Sequence, residues 1–283
     1  MKVLAVHAHP DDESIWTGGA LARFAKQGAE VTVLTCTNGE EGEIIGRAEL
    51  VDDLAQFRLG ELAEALEVLQ VSGQRMNLRD SGMAGAESAQ HPKALVNNTE
   101  QAAAAIEDFL RAEEPDLVIT YGPDGGYGHP DHIAAHNATH EALSRVHASG
   151  IDPEVWWSVL YRQDVIDGQQ QFVLPEGWQW PGQEYLFNGT DDFVDVGLEL
   201  SPAEVTAKRE AMAAHATQVW IADGRASTVN PDRVVASHDD AIAGVYALSN
   251  LYAYPILRTE YYQLPFGPGP VARAQEQHRW DSA

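Results

Sequence analysis

The sequence predicts an α/β fold: a Rossmann-like, mostly parallel sheet flanked by helices, followed by a smaller C-terminal α+β region. Three observations predict it. Short apolar runs rich in β-branched residues alternate with longer helical stretches over residues 1–150, and such alternation builds right-handed βαβ units. Three polar clusters, "HAHPDDE" (7–13), "TNGEEGE" (37–43) and "GPDGGYGHPDH" (122–132), each follow one of those apolar runs. In open sheets of this kind, ligands bind beyond the carboxyl ends of the strands. After residue 150 the alternation gives way to a segment rich in Gln, Gly, Pro and Trp, so the chain divides into 1–150, a catalytic domain, and 151–283, a smaller region covering the site rim.

The elements follow in order. "KVLAV" (2–6) reads as a first strand and 15–28 as a helix ending at Gly28. "EVTVLTC" (30–36) is the second strand. Residues 52–70 carry apolar positions at 54, 57, 59, 62, 66 and 69, a helical stripe. A short strand near 75–78, a helix over 92–113 and the buried strand "DLVITYG" (116–122) come next. Beyond them, "EVWWSVLYRQDV" (154–165) reads as a strand. The stretch 201–219 reads as a helix with Ser201 as N-cap, Pro202 in its first turn and Glu204 completing a capping box. The tail from 264 is expected to be poorly ordered at its end.

Composition narrows the function. With 18 Lys and Arg against 43 Asp and Glu, the formal net charge is −25. Such a field repels phosphate backbones and anionic lipid, which argues against nucleic-acid and membrane partners. The single cysteine, Cys36, excludes an intramolecular disulfide framework and fits a reducing cytoplasm. No apolar run is long enough to span a bilayer, and no basic, apolar-cored leader opens the chain, so a cytoplasmic location is expected. Nothing in the sequence signals an oligomeric state.

"HAHPDDE" packs two histidines and three carboxylates into seven residues at the end of a buried strand. Two carboxylates in a recessed site repel, and one is protonated unless a cation neutralises them. Imidazole with carboxylate suits Zn²⁺ or Fe²⁺. "GHPDH" offers His129 and His132, and the expected ligand set is His9, Asp12 and His132. Helix capping is the plainer reading of each motif, because Asp suits helix starts. His136 and His140 lie at four-residue steps from His132 and read as satisfied histidines deeper on one helix. His7 reads as a packing residue, and Cys36 as a buried strand cysteine.

"AHPDDE" with a later "GHPDH" resembles the LmbE-like, or PIG-L, family of zinc-dependent N-deacetylases. "TCTNGEEGE" (35–43), "RDSGMAG" (79–85), "AHATQ" (214–218) and "LSNLYAYPILRTEYY" (248–262) look like its mycothiol branch. That branch holds a deacetylase of N-acetylglucosaminyl-inositol and an amidase of mycothiol S-conjugates. The resemblance implies one divalent metal, Zn²⁺ or alternatively Fe²⁺, on His9, Asp12 and His132. Asp11 would be the general base, and Tyr127 would help hold the oxyanion. His129, as imidazolium, would stabilise that charge and protonate the amine, with Asp131 keeping it charged. Arg58 and Asp80 would bind hydroxyls of a small neutral amino-sugar/inositol substrate, with Met83 and, more weakly, Glu43 nearby.

The amidase branch carries a lysine soon after its "HPDDES", where this chain has Ile15, Trp16 and Thr17; that difference favours the deacetylase. Two other classes remain as alternatives. A non-catalytic sugar- or nucleotide-binding module is disfavoured by the intact acid, base and metal positions, and no G-x-G-x-x-G follows the first strand. A two-metal phosphoesterase requires a second carboxylate set and cationic phosphate contacts.

Overall fold

The computed structural model describes residues 1–238 and 242–265; the tail beyond 265 lies outside the described residues. In chain order the elements are β1 (Lys2–His7), α1 (Asp12–Lys26), β2 (Glu30–Thr37), α2 (Leu54–Leu69), β3 (Ser72–Leu78), α3 (Thr99–Glu113), β4 (Leu117–Tyr121) and α4 (Pro130–His147). There follow β5 (Glu154–Val159), α5 (Arg162–Gln169), β6 (Phe172–Val173), α6 (Gln183–Asn188), β7 (Val196–Glu199), α7 (Pro202–Ala214), β8 (Trp220–Ile221), β9 (Ser237–His238), β10 (Gly244–Ala247), β11 (Ala253–Ile256) and β12 (Thr259–Gln263).

The main sheet has seven strands in the order β3-β2-β1-β4-β5-β12-β7. From β3 to β5 every pairing is parallel, while β12 runs antiparallel to both β5 and β7. The first strand is buried on both faces, which is why "KVLAV" reads as a continuous apolar run rather than an alternating one. Val3 and Ala5 join a core shared with α1, α2 and α7, including Leu21, Phe24 and Trp156. Leu4 and Val6 join the opposite core under α3 and α4, with Ile106, Leu110 and Val118. Each fully buried side chain of this size contributes about 1.5–3 kcal/mol. A third core, around Phe172, Trp178 and Val245, supports the small sheet β11-β10-β8.

Several boundaries differ from the sequence reading. Helix α1 starts at Asp12 rather than 15, because Asp12 and Glu13 already occupy its first turn. Helix α3 starts at Thr99 rather than 92; the Asn98 side chain bonds the Pro92 and Ala94 carbonyls and holds the preceding residues in turns. The expected strand 154–165 stops at Val159, and Arg162 opens α5, with its guanidinium on Thr190 and Asp192. The capping box of α7 forms as read, but the helix ends at Ala214 and His215 turns inward. The division at 150 falls between α4 and β5, and β5 pairs with β4 in the same sheet.

Candidate active site

Strand order reverses direction around β1, whose neighbours are β2 and β4, and that switch point is where an open α/β sheet forms a crevice. Here it is a cleft of about 550 Å³ lined by His9, Asp11, Asp12, Arg58, Asp80, Tyr127 and His129, with Glu43 and Met83 at its mouth. The C-terminal region supplies a further wall, including Gln218, Tyr246 and Asn250.

At the end of β1, Asp11 occupies the N-cap position of α1, yet its side chain accepts no hydrogen bond from the helix. Its backbone sits at φ 127°, ψ −30°, a region that non-glycine residues avoid at a cost of about 1–3 kcal/mol. The carboxylate turns instead to Arg58, whose Nη2 lies 3.1 Å from Oδ2. Arg58 also donates to the carbonyls of Gly39 and Pro10. Capping therefore does not explain Asp11. Burial pushes its carboxyl up to about 6; Arg58 opposes that rise and Asp12 adds to it.

Asp12 lies between two imidazoles. Oδ2 is 3.3 Å from His9 Nδ1, and Oδ1 is 3.3 Å from His132 Nε2. His132 Nδ1–H donates to the Gly125 carbonyl at 3.0 Å, which turns Nε2 toward Asp12. That Nε2 is buried and has no hydrogen-bond partner among the described residues. Two imidazoles facing one carboxylate in a dry site are held together by a shared proton or by a metal cation. Burial opposes the charged forms of both His9 and Asp12. Even so, Asp80, Asp12 and Asp131 hold His9 well above its usual range, and the histidines hold Asp12 well below the carboxylate range. His9, His129 and His132 bring one ligand atom each within 4.8 Å of one another, as do His9, Asp80 and Asp131. This buried His/Asp group fits a divalent metal.

Tyr121 was not singled out from the sequence. It closes β4 with its ring stacked on His132 at 4.1 Å, and its hydroxyl accepts from the Ala8 N–H at 2.8 Å. A tyrosine closing the buried strand LVITY was the available signal. Trp16 meets the His132 ring edge-on at 6.4 Å and lines the cleft.

The "GHPDH" segment starts α4, and here capping is real: His129 is the N-cap and its Nδ1 accepts from the Asp131 N–H at 3.1 Å. An imidazole accepting at Nδ1 carries its proton on Nε2, and burial together with the charges of His9 and His132 pushes His129 down to about 2, so it is neutral. Asp131 does not hold it charged. The Asp131 carboxylate accepts from Ser81 N–H at 2.8 Å and lies 3.4 Å from His9 Nε2.

Among the expected substrate residues, Met83 and Glu43 are exposed at the cleft mouth. Arg58 and Asp80 reach the cleft but are buried, with polar atoms engaged by the chain. Asp80 accepts from Gly82 N–H and Glu41 N–H and lies 3.6 Å from His9. His7 and His136 are satisfied by Thr17 and the Tyr121 carbonyl. Cys36 is buried, its thiol pushed up to about 12 by burial.

A profile for the family described as PIG-L, GlcNAc-PI de-N-acetylase, matches residues 4–143. Over 97% of this chain and 91% of the relative, the sequence is 46% identical to the 1D-myo-inositol 2-acetamido-2-deoxy-alpha-D-glucopyranoside deacetylase of Corynebacterium efficiens. The chain belongs to the PIG-L family of N-deacetylases. Among solved structures, the zinc-inhibited form of teicoplanin deacetylase Orf2 superimposes with a TM-score of 0.51 at 20% identity, over 77% of this chain and 84% of that one. The 4-carboxy-2-hydroxymuconate hydratase GalB of Pseudomonas putida gives 0.54 at 18%, over 94% and 97%. These two likenesses concern the fold, which serves more than one reaction.

Proposed function

We propose that this PIG-L protein removes the acetyl group from N-acetylglucosaminyl-inositol, a step of mycothiol biosynthesis. One observation carries the chemistry: Asp11, half-buried at the start of α1, makes no side-chain cap and presents its carboxylate to the cleft that the metal donors line. The substrate rests on the curated relatives, named deacetylases of that glycoside, at 38–46% identity.

His9, Asp12 and His132 would hold the metal, with Zn²⁺ favoured by the imidazole and carboxylate set and Fe²⁺ as the alternative. When bound, the metal supplies Lewis acidity, polarising the acetamide carbonyl and making water a nucleophile near neutral pH. Asp11, its carboxyl raised to about 6 by burial, takes the proton of the attacking water. Neutral His129 donates its Nε2–H, and Tyr127 its hydroxyl, to the oxygen on which charge develops. Because His129 is neutral, the proton for the departing amine comes back from Asp11. Arg58 holds Asp11 in place, while Met83, Glu43 and the wall from the second half of the chain contact the sugar and inositol. Asp80 and Asp131 orient His9.

A cytoplasmic location belongs to the same proposal, supported by the single, buried Cys36; no helix among the described residues is long and apolar enough to cross a membrane. The test offers N-acetylglucosaminyl-inositol and a mycothiol S-conjugate side by side to metal-loaded protein, with a chelated control. Chelator-sensitive amine release that is faster from the acetylated sugar is expected. Preference for the conjugate would make the protein an amidase.

A further inference from the structure

Glu13 is the third carboxylate of "HAHPDDE" and His215 the histidine of "AHATQ"; the chemistry above uses neither. Both are fully buried. Glu13 Oε1 accepts from His215 Nε2–H at 2.7 Å and from the Ser14 hydroxyl. Glu13 Oε2 accepts the backbone N–H of Asp11 at 3.0 Å. The contact joins the C-terminal end of α7 to the first turn of α1 across 202 positions of sequence. Removing a carboxylate and an imidazole from water offsets much of their attraction, so stability alone is a weak reason for such a pair.

The backbone of Asp11 supplies a stronger one. At φ 127° it occupies a conformation that persists only where surrounding contacts over-determine it. As the residue ahead of the first helical turn, Asp11 has no intrahelical acceptor for its N–H.

We propose that Glu13 and His215 form a positioning pair that locks the left-handed backbone of Asp11 and aims its carboxylate into the cleft. This rests on the reading of Asp11 as the base. Two grips act on one residue: Arg58 holds the carboxylate, 3.1 Å from Oδ2, and Glu13 holds the amide. His215 and Ser14 occupy one carboxylate oxygen of Glu13 and leave the other facing Asp11. Misplacing a catalytic group by about 1 Å costs on the order of 10²-fold in rate.

The experiment compares Glu13→Gln, His215→Gln and the double variant with the parent, measuring kcat, KM, bound metal and the urea midpoint, with Asp11→Asn as reference. Glu13→Gln keeps one oxygen for the three donors His215, Ser14 and Asp11, so kcat falls about 10–100-fold at unchanged KM and full metal content. His215→Gln leaves the Glu13–Asp11 contact in place and stays informative if Glu13→Gln folds poorly; its kcat falls about 3–10-fold. The double variant is no worse than Glu13→Gln, because both act through one contact. An unchanged kcat in both single variants, or losses that track metal content and KM, would overturn the pair's role. An active Asp11→Asn would instead overturn the reading beneath it, whereas an inactive Asp11→Asn beside normal Glu13→Gln and His215→Gln would overturn this inference alone.

Discussion

Around the cleft, each ionisable side chain gets its task from what its other atoms already touch. His132 spends Nδ1 on the Gly125 carbonyl, so Nε2 is left for a metal. His129 spends Nδ1 on the Asp131 N–H, so Nε2 is a donor and the ring stays neutral. These assignments separate by substitution. His132→Ala is expected to lose bound metal and turnover together, read by metal analysis of the purified protein. His129→Ala is expected to keep metal and lose about 10²–10³-fold in kcat, the usual effect of removing one oxyanion donor. His129→Gln, which still offers an N–H, should recover part of that loss; equal loss in the two variants would assign His129 an acid role instead. Dialysis against a chelator should abolish amine release in the parent, and Zn²⁺ or Fe²⁺ should restore it.

Between elements, helix starts and strand ends carry the site, and their packing is testable apart from the chemistry. On α4, His140 Nε2 accepts from Trp157 Nε1–H of β5 at 2.8 Å, an interaction open only to the neutral ring. Burial, aided by the charge of His136, pushes His140 down to about 4 from its ordinary 6.5. Its contribution is therefore complete above pH 6.5 and is lost as pH falls toward 4. Urea midpoints should drop between pH 7 and pH 5, and His140→Gln should flatten that slope; an unchanged slope would remove His140 from the account. Elements of long periodicity were legible: β1, β2, α2, β4 and the capping box of α7 all stand close to where the pattern put them. Long-range polar contacts hid the rest. Arg162 bonded to Thr190 and Asp192 ends β5 early, and the inward turn of His215 ends α7 early, through contacts with residues distant in sequence.

Across the whole molecule, residues from the last strand hold the first helix. Glu260 of β12 accepts from the backbone N–H groups of Gly19 and Ala20 and from Lys208 at 2.6 Å, all buried. Breaking one side of such a pair costs about 3 kcal/mol or more, so Glu260→Gln should lower the urea midpoint strongly without changing the residues at the cleft. The same span explains which parts of the site were legible. His9, Asp11, Asp12 and His132 lie in two short motifs, and the sheet brings the motifs together. Arg58 gripping Asp11, Tyr121 under His132 and the wall around Gln218 arise from tertiary packing, so the motifs gave Arg58 a sugar-binding role rather than this one and did not place Tyr121 or Gln218 in the cleft.

The proposed mechanism turns on Asp11 as the base beside a metal it does not bind. The direct measurement is bound metal and amine release from N-acetylglucosaminyl-inositol for Asp11→Asn beside the parent protein. Full metal content is expected, with turnover reduced about 10²–10⁴-fold, the range for loss of a general base. Turnover within a few-fold of the parent, or metal lost in step with activity, would contradict it.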